Sequence, residues 1–449
     1  MPGRNKGAAP RVSAVSRRRI SASPKWKPGL GNGHSAPPRS ALGHLQIATD
    51  SRPNSILKLE GCVRTDRFSL PFGHELPANS RVSDWFRLTN EEEVPSPALL
   101  IFPDRVEENI RRMIALAGGV ERLRPHVKTH KLPQVLALEL KNGLTKFKTA
   151  TIAETEMCAV AGAPEVLLAY PTVGPNARRF AELVRTFPQT QFQTVVDNPG
   201  SLIELAAAAQ AAGVEFEVLL DVNVGMNRTG IAPGERTFQL YQTLASTPGL
   251  RPGGLHAYDG HLHQRDRAQR EVAVAATFSA FWALEERLRA AGLEVPRIVA
   301  SGTPTLPLLA RRPGVELGAG TTVLWDFGQA ETCPDMDFLE AAVLLTRVIS
   351  RPTTNRVTLD LGHKAVASEM PSPRVKLFGL ENAAHVMHSE EHLVLETPRA
   401  ANFPVGTVLY GIPRHVCPTV ALHSEVFAVR NGRVEETWPV VGRARRLSI

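Results

Sequence analysis

The chain has 449 residues, of which 43% are hydrophobic and 21% charged, so it is long enough for two domains and its composition excludes a disordered chain. No run of about 18 apolar residues occurs, which excludes a membrane-spanning helix. The four cysteines contain no C-x-x-C pair, which argues against a disulfide scaffold or a four-cysteine zinc module and indicates a reducing, cytoplasmic compartment.

The positive charge lies at the N-terminus. The net charge is +8, but residues 1–49 carry nine basic residues and no acidic one, so the rest of the chain is nearly neutral. Residues 1–80 are predicted to be a basic, disordered extension, because they have too little apolar surface to fold alone. A targeting peptide, a nucleic-acid arm and an extension without function are the alternatives, and the neutral body does not favour nucleic acid as a partner.

From about residue 95, short apolar runs alternate with stretches of helical periodicity, which is typical of parallel strands joined by helices. The candidate strands are Leu123–Lys128, Phe147–Ile152, Val166–Ala169, Gln193–Val196, Glu217–Asp221, Gly254–Ala257, Arg297–Ala300 and Val315–Leu317. The clearest helices are Ser201–Ala212 and Arg267–Ala291, each followed by a glycine that can cap it. Eight such units over about 200 residues predict an α/β fold with a (β/α)8 TIM-type barrel over residues 95–330.

After residue 330 the pattern changes to short strand-like runs separated by turns. These runs are Ala341–Ile349, Arg356–Leu361, His392–Glu396, Thr407–Tyr410 and Glu425–Val429. They predict a C-terminal all-β domain over residues 331–449. Residues 50–95 have mixed composition. The two alternatives for them are that they pack on the barrel or that they complete the β domain.

The active site of such a barrel lies at the C-terminal ends of its strands. Lys128 is the last residue of the first candidate strand, among two histidines and other cations, where a neutral, nucleophilic amine is favoured and a Schiff base can form. The alternative is an ordinary lysine that extends into solvent and has no catalytic role. Lys131 is the competing candidate.

Small polar residues follow the last two strands. Ser301, Gly302 and Thr303, with Gly320 and Thr321 in the next loop, can present N–H groups to a phosphate, although such turns are also ordinary loop chemistry. A lysine for an aldehyde and a site for a phosphate together indicate pyridoxal 5′-phosphate. Its ring nitrogen needs a partner, for which Arg228 is the candidate, and a salt bridge to a carboxylate is the alternative role of that arginine.

The C-terminal domain contains a possible metal pair. His415 and Cys417 are two residues apart, and on an extended strand they would point to the same side and suit a zinc-like ion. Two ligands make a weak motif, so a buried structural cysteine beside a histidine is the alternative.

Several motifs carry a resemblance to a known family. They are Pro125–Lys131, Asp221–Gly230, Tyr258–His261, Asp360–Ala365, Ser389–His392 and His415–Thr419, in this order. The chain resembles the D-threonine aldolase and D-serine dehydratase family, which belongs to the alanine-racemase-like, fold-type III pyridoxal-phosphate enzymes. The resemblance extends from about Pro95 to Pro439.

The resemblance implies a homodimer in which pyridoxal phosphate is bound to Lys128 and a divalent metal, zinc or manganese, to His415 and Cys417. It places Tyr258 and Arg228 against the cofactor and the residues from Ser301 to Thr303 at its phosphate. It further implies that His261 or His263 transfers a proton. One departure is Thr321 after Gly320, where the family has an aromatic residue.

The resemblance implies a lyase acting on β-hydroxy D-amino acids. D-threonine aldolase, which gives glycine and acetaldehyde, is favoured over D-serine dehydratase, which gives pyruvate and ammonia, and over an amino-acid racemase. The Met226–Gly230 and Ser389–His392 segments resemble the aldolases, whereas Cys417 resembles the zinc-dependent dehydratases. A cofactor carrier without catalytic activity is the non-enzymatic alternative.

Overall fold

A computed structural model describes residues 84–449, and the predicted N-terminal extension lies outside the described residues. The helices are α1 (Pro103–Ala117), α2 (Pro133–Lys141), α3 (Ile152–Val160), α4 (Pro175–Thr186), α5 (Pro199–Ala212), α6 (Glu235–Ser246), α7 (Arg267–Ala290), α8 (Leu306–Leu309), α9 (Phe327–Thr332) and α10 (Val416–Leu422). Within residues 84–449, no helix is long and apolar enough to cross a membrane.

The strands fall into two sheets. They are β1 (Ala98–Ile101), β2 (Lys146–Thr149), β3 (Glu165–Leu168), β4 (Gln191–Val196), β5 (Phe216–Val222), β6 (Leu250–Ala257), β7 (Ile298–Ala300), β8 (Val315–Leu317), β9 (Ala342–Thr353), β10 (Arg356–Leu359), β11 (Val375–Leu377), β12 (Ala384–His388), β13 (Leu393–Glu396), β14 (Val408–Pro413), β15 (Glu425–Arg430) and β16 (Arg433–Pro439). Strands β2 to β8 form a parallel sheet in sequence order, and the other nine form a mixed sheet.

The parallel sheet curls into the predicted barrel, and the eighth position is filled by a short segment rather than a regular strand. Leu123 bridges to Leu317 of β8, and His126 bridges to Lys148 of β2. Pro125 lies between these two bridges and has no N–H to donate, so a continuous ladder over Leu123–Lys128 cannot form. The predicted strand is therefore wrong in detail, although the segment closes the barrel where expected.

The mixed sheet contains a strand from the N-terminal side of the barrel. Strand β1 pairs with β9 in antiparallel and with β15 in parallel orientation. All four residues of β1 are buried, as expected for a short apolar strand in the interior of a sheet. The mixed sheet therefore includes β1, which precedes the barrel strands. These residues lie within the range 95–330 predicted for the barrel and outside the range 331–449 predicted for the β domain.

Candidate active site

Lys128 lies at the C-terminal mouth of the barrel. It is half-buried in a short 3-10 helix, Val127–Thr129, that follows the closing segment, and its backbone N–H donates to His126 Nδ1 at 3.4 Å. The competing Lys131 has a positive φ of 55° and its amine is paired with the buried carboxylate of Glu154. Because that ion pair occupies the Lys131 amine, the geometry favours Lys128 as the reactive lysine.

The loops after β7 and β8 are tied together next to Lys128. Thr321 donates its N–H to Thr303 Oγ1 at 3.3 Å, and Gly318 donates to Ser301 Oγ at 3.2 Å. A Cβ on Gly320 would lie 2.6 Å from the carbonyl oxygen of His126, so only glycine fits this close approach. The residues predicted to hold a phosphate therefore form one cradle beside the Lys128 segment.

Arg228 and Tyr258 also meet at the mouth. The Arg228 guanidinium carbon lies 5.0 Å from the centre of the Tyr258 ring. Among residues 84–449, Arg228 has no salt bridge, so the alternative role considered for it in the sequence is not observed. Arg228 is exposed and Tyr258 half-buried, which leaves both side chains reachable by a bound cofactor.

The two candidate histidines differ in their surroundings. His261 is half-buried, and its Nδ1 is buried without a hydrogen-bond partner among the described residues. Its Nε2 lies 3.0 Å from the point where a Cβ of Gly225 would be, which places the ring against the loop after β5. His263 is exposed. The structure therefore brings His261, rather than His263, toward the loop that carries Arg228.

His415 and Cys417 are neighbours at the start of a helix, not on an extended strand as predicted. His415 precedes α10 with extended backbone angles, and Cys417 lies in the first turn. Helix α10 forms here because the buried Asp326 carboxylate accepts the Val416 N–H at 2.8 Å, and Pro418 is tolerated in a first turn. Cys417 Sγ lies 3.3 Å from Thr129 Oγ1, beside Lys128.

The charges around this pair favour a thiolate. Burial raises the pKa of Cys417, but the hydrogen bond from His415 and the charges of Lys128 and His415 outweigh it and lower the pKa to about 6. Burial lowers the pKa of His415, but Cys417 and nearby carboxylates raise it to about 9. An imidazole and a thiolate fit a zinc-like ion. Over residues 84–449, however, the structure shows no cluster of three or more His, Cys, Asp or Glu ligands.

Three further groups below the mouth were not predicted from the sequence. Lys148 on β2 is 1% exposed, and its amine lies 5.8 Å from the Tyr258 ring. Asp259 is buried, with Oδ1 accepting the Gly302 N–H at 2.6 Å and Oδ2 without a partner among residues 84–449. His256 Nδ1 lies 2.7 Å from Asp221 Oδ1. His256 and Asp259 could have been found from their position at the end of β6, whereas Lys148 stands inside β2.

Two sequence-family profiles match the chain. The profile described as "Alanine racemase, N-terminal domain" covers residues 101–319, and the "Putative serine dehydratase domain" covers residues 341–429. The D-threonine aldolase of Arthrobacter sp. is 31% identical over 359 residues, which is 78% of this chain and 93% of that protein.

Solved structures agree with these matches. The D-threonine aldolase of Filomicrobium marinum has a TM-score of 0.73 at 29% identity, covering 78% of this chain and 96% of that one. The D-threo-3-hydroxyaspartate dehydratase of Delftia sp. has a TM-score of 0.68 at 26% identity, covering 78% of this chain and 98% of that one. That dehydratase is also known as a histidine-to-alanine mutant and, in metal-free form, as a cysteine-to-alanine mutant.

The fold and the two profile matches together define an alanine-racemase-like barrel enzyme with an additional β module, residues 331–449. The chain belongs to the D-threonine aldolase and D-serine dehydratase family and is a lyase, which confirms the resemblance seen in its motifs.

Proposed function

We propose that this lyase uses pyridoxal 5′-phosphate and a divalent metal to cleave β-hydroxy D-amino acids, with D-threonine as substrate and glycine and acetaldehyde as products. The observation that carries the proposal is the contact between Cys417 Sγ and Thr129 Oγ1 at 3.3 Å. It brings the proposed metal pair of the β module next to Lys128, so one small substrate can reach both.

The residues at the mouth fit the cofactor. Lys128 would carry it, the loops at Ser301–Thr303 and Gly320 would hold its phosphate, and Tyr258 and Arg228 would lie beside its ring. The close approach of Gly320 to the Lys128 segment supports this assignment. When bound, the cofactor supplies the electron sink for the bond that breaks at Cα. The charge of Arg228 next to the ring nitrogen would keep that nitrogen unprotonated, because a second positive charge there is disfavoured.

The metal pair fits a cation that binds the substrate hydroxyl. His415 and Cys417 would hold zinc or manganese, which acts as a Lewis acid on that oxygen. The two mutated positions of the Delftia dehydratase are a histidine and a cysteine two residues apart, as are His415 and Cys417. His261 would take the proton of the hydroxyl group, since its ring is half-buried and its Nδ1 has no partner among the described residues.

A D-serine dehydratase is the second candidate. Cys417 favours it, because a cysteine-to-alanine mutant of a D-threo-3-hydroxyaspartate dehydratase is among the similar structures, in a metal-free form. In that reaction Lys128 would remove the proton at Cα, and an ion held by His415 and Cys417 would supply a Lewis acid for the hydroxyl group that leaves. The family resemblance also implies a homodimer, which we propose for this chain and which sedimentation would measure.

Product analysis with the purified protein, pyridoxal phosphate and zinc or manganese decides between the candidates. With D-threonine the aldolase gives glycine and acetaldehyde, whereas a dehydratase converts D-serine to pyruvate and ammonia. Chelation or Cys417→Ala should abolish turnover. Cys333→Ala is the matched control, because Cys333 is also buried but lies outside the site. Full turnover by Cys417→Ala or by the chelated enzyme would contradict the metal assignment.

A further inference from the structure

Lys131 is held by its backbone and by its side chain. Its N–H donates to Val127 O at 2.8 Å, which closes the turn that contains Lys128. Its carbonyl oxygen accepts the N–H of Gly442 at 3.0 Å. Its amine pairs with Glu154 and also donates to Gly442 O at 3.4 Å. Lys131 is therefore fixed at three points, three residues after the reactive lysine.

The backbone of Lys131 adopts a conformation that its side chain disfavours. Its φ of 55° lies in the left-handed region, and a residue stays there only when its surroundings hold it. Helix α2 begins at Pro133 and buries Val135 and Leu136, so the chain after Lys131 is anchored. A relaxation of this φ would therefore move the turn before it, which carries Lys128.

Glu154 is the fixed end of the ion pair. It is 0% exposed and stands in the first turn of α3, where its Oε2 accepts the Ala150 N–H at 2.7 Å. Its own N–H donates to Thr151 Oγ1 at 3.1 Å. A buried carboxylate is costly unless it is paired. Since both of its oxygens are engaged in the interior, Glu154 holds the Lys131 amine in one place.

The C-terminal turn, Val441–Arg443, lies against Lys131 from another side. Gly442 is buried in this turn, and a Cβ there would lie 3.1 Å from Lys131 Cβ. The last residue of the turn, an arginine, donates its Nε–H to Ala421 O at 2.9 Å. Ala421 belongs to α10, the helix whose first turn carries Cys417. The C-terminal turn therefore contacts both the segment of the reactive lysine and the helix of the proposed metal pair.

We propose that Lys131 is a positioning residue which, clamped between Glu154 and the C-terminal turn, fixes the turn that presents the Lys128 amine to the cofactor. The inference rests on the proposed function, in which the Lys128 nitrogen bonds to the aldehyde carbon of pyridoxal phosphate and one water molecule leaves. Lys131 acts through the turn around Lys128 and does not itself bind the cofactor. Because a reaction between two bound groups depends steeply on their relative position, a released Lys131 slows this attachment without weakening the phosphate cradle.

The test measures attachment and non-covalent binding separately. The full-length protein, freed of cofactor, is mixed with pyridoxal phosphate and reduced with borohydride after timed intervals, and the modified lysine is identified by peptide mass spectrometry. Non-covalent binding is measured with pyridoxamine phosphate, which has an amine in place of the aldehyde and cannot bond to a lysine. In Lys131→Met we expect attachment at Lys128 to slow about tenfold or more, while the dissociation constant of pyridoxamine phosphate stays unchanged. A merely structural role would change both quantities.

Three further variants make the result specific. Lys131→Arg keeps the charge opposite Glu154 and should restore most of the rate. Glu154→Gln keeps an oxygen for the Ala150 N–H but removes the charge, so it should slow attachment as Lys131→Met does. Glu156→Gln is the matched control, because Glu156 lies in the same helix, is 1% exposed and accepts the Ser448 N–H at 2.9 Å. It should leave attachment unchanged.

Gly442→Ala disturbs Lys131 without removing a charge. The added Cβ would meet Lys131 Cβ at 3.1 Å, so the lysine must shift and attachment should slow in the same sense. Thermal unfolding shows which variants are folded. Gly442→Ala and Lys131→Met keep the inference testable if the buried Glu154→Gln variant does not fold.

The remaining outcomes overturn the inference in distinguishable ways. Unchanged attachment in folded Lys131→Met and Gly442→Ala shows that Lys128 does not depend on the clamp, while the proposed function stands. Equal losses of attachment and of pyridoxamine phosphate affinity show a general disruption of the pocket and reject the positioning role. Labelling of Lys131 instead of Lys128 in the unaltered protein rejects that role but keeps the cofactor. Absence of any labelled lysine in the unaltered protein rejects the proposed function together with the inference.

Discussion

At the scale of single residues, Gly320 decides how closely two loops of the mouth approach. A Cβ at this position would lie 2.6 Å from His126 O and 3.1 Å from Thr129 Oγ1. Gly320→Ala must therefore push the loop after β8 away from the Lys128 segment. We expect cofactor affinity to fall about tenfold or more and the free energy of unfolding to fall by about 1–3 kcal/mol, as measured by spectroscopic titration and urea denaturation.

The control for this substitution is a glycine with more room. Gly200 is the second residue of helix α5 and has no positive φ, and the nearest heavy atom to a Cβ there would be Asn198 Oδ1 at 3.3 Å. Gly200→Ala should leave cofactor affinity unchanged. If Gly320→Ala bound pyridoxal phosphate as tightly as Gly200→Ala, the loop would not contribute to the phosphate cradle.

The sequence predicted some residues of the mouth and missed others for a physical reason. Lys128 stands at the end of one predicted strand and Arg228 in the loop after another, so the topology alone indicated their position. Lys148 stands inside a strand, where Lys146, Phe147 and Lys148 alternate as they do in a strand with one solvated face. Only closure of the sheet turns the polar face inward, and closure is a property of the whole barrel.

At the scale of elements, helix ends were predicted better than strand ends. Gly213 and Gly292 have φ of 65° and 75° and follow α5 and α7 closely, as the sequence indicated. The segment Leu123–Lys128 and the strand expected around His415 were wrong, because Pro125 interrupts a ladder and Asp326 starts a helix. A helix cap depends on residues that are neighbours in the sequence. The structure of the Leu123–Lys128 segment and of the segment at His415 depends on partners that are distant in the sequence.

Helix α7 provides a test of such a cap. Asp266 Oδ1 accepts the N–H of Gln269 at 2.8 Å, at the start of a 24-residue helix. Asp266→Ala removes this hydrogen bond and a negative charge from the positive end of the helix, which should lower the free energy of unfolding by about 1 kcal/mol. Urea denaturation of the cofactor-free protein measures the change.

Asp266→Asn and Glu286→Ala are the matched variants for the cap. Asparagine keeps the capping oxygen and should lose only the charge contribution. Glu286 is exposed near the C-terminal end of the same helix, away from the cap, so its replacement should change the free energy of unfolding by less than about 0.5 kcal/mol. An equal loss in Asp266→Ala and Glu286→Ala would show that the cap does not stabilise the protein.

At the scale of the whole molecule, a strand that precedes the barrel belongs to the mixed sheet, and a helix of the C-terminal part contacts the barrel mouth. Strand β1 precedes the barrel but lies between β9 and β15, and the Asp326 carboxylate binds the start of α10. Cys417 in α10 then contacts Thr129 beside Lys128. The sequence predicted two consecutive domains. It could not predict that β1 joins the mixed sheet, because no local pattern shows which distant strand a short apolar run will pair with.

Because β1 pairs only with strands of the mixed sheet, we predict that the barrel cannot fold without the β module. A fragment of residues 84–330 lacks both neighbours of β1, so Leu99, Leu100 and Ile101, which are fully buried, would be exposed. Each such side chain contributes about 1.5–3 kcal/mol when buried, and the three together approach the whole stability of a typical domain, about 5–15 kcal/mol. We expect the fragment to show no cooperative thermal transition by circular dichroism and no covalent binding of pyridoxal phosphate, while residues 84–449 show both. A fragment that melts cooperatively and binds the cofactor at Lys128 would establish the barrel as an independent domain and contradict this interdependence.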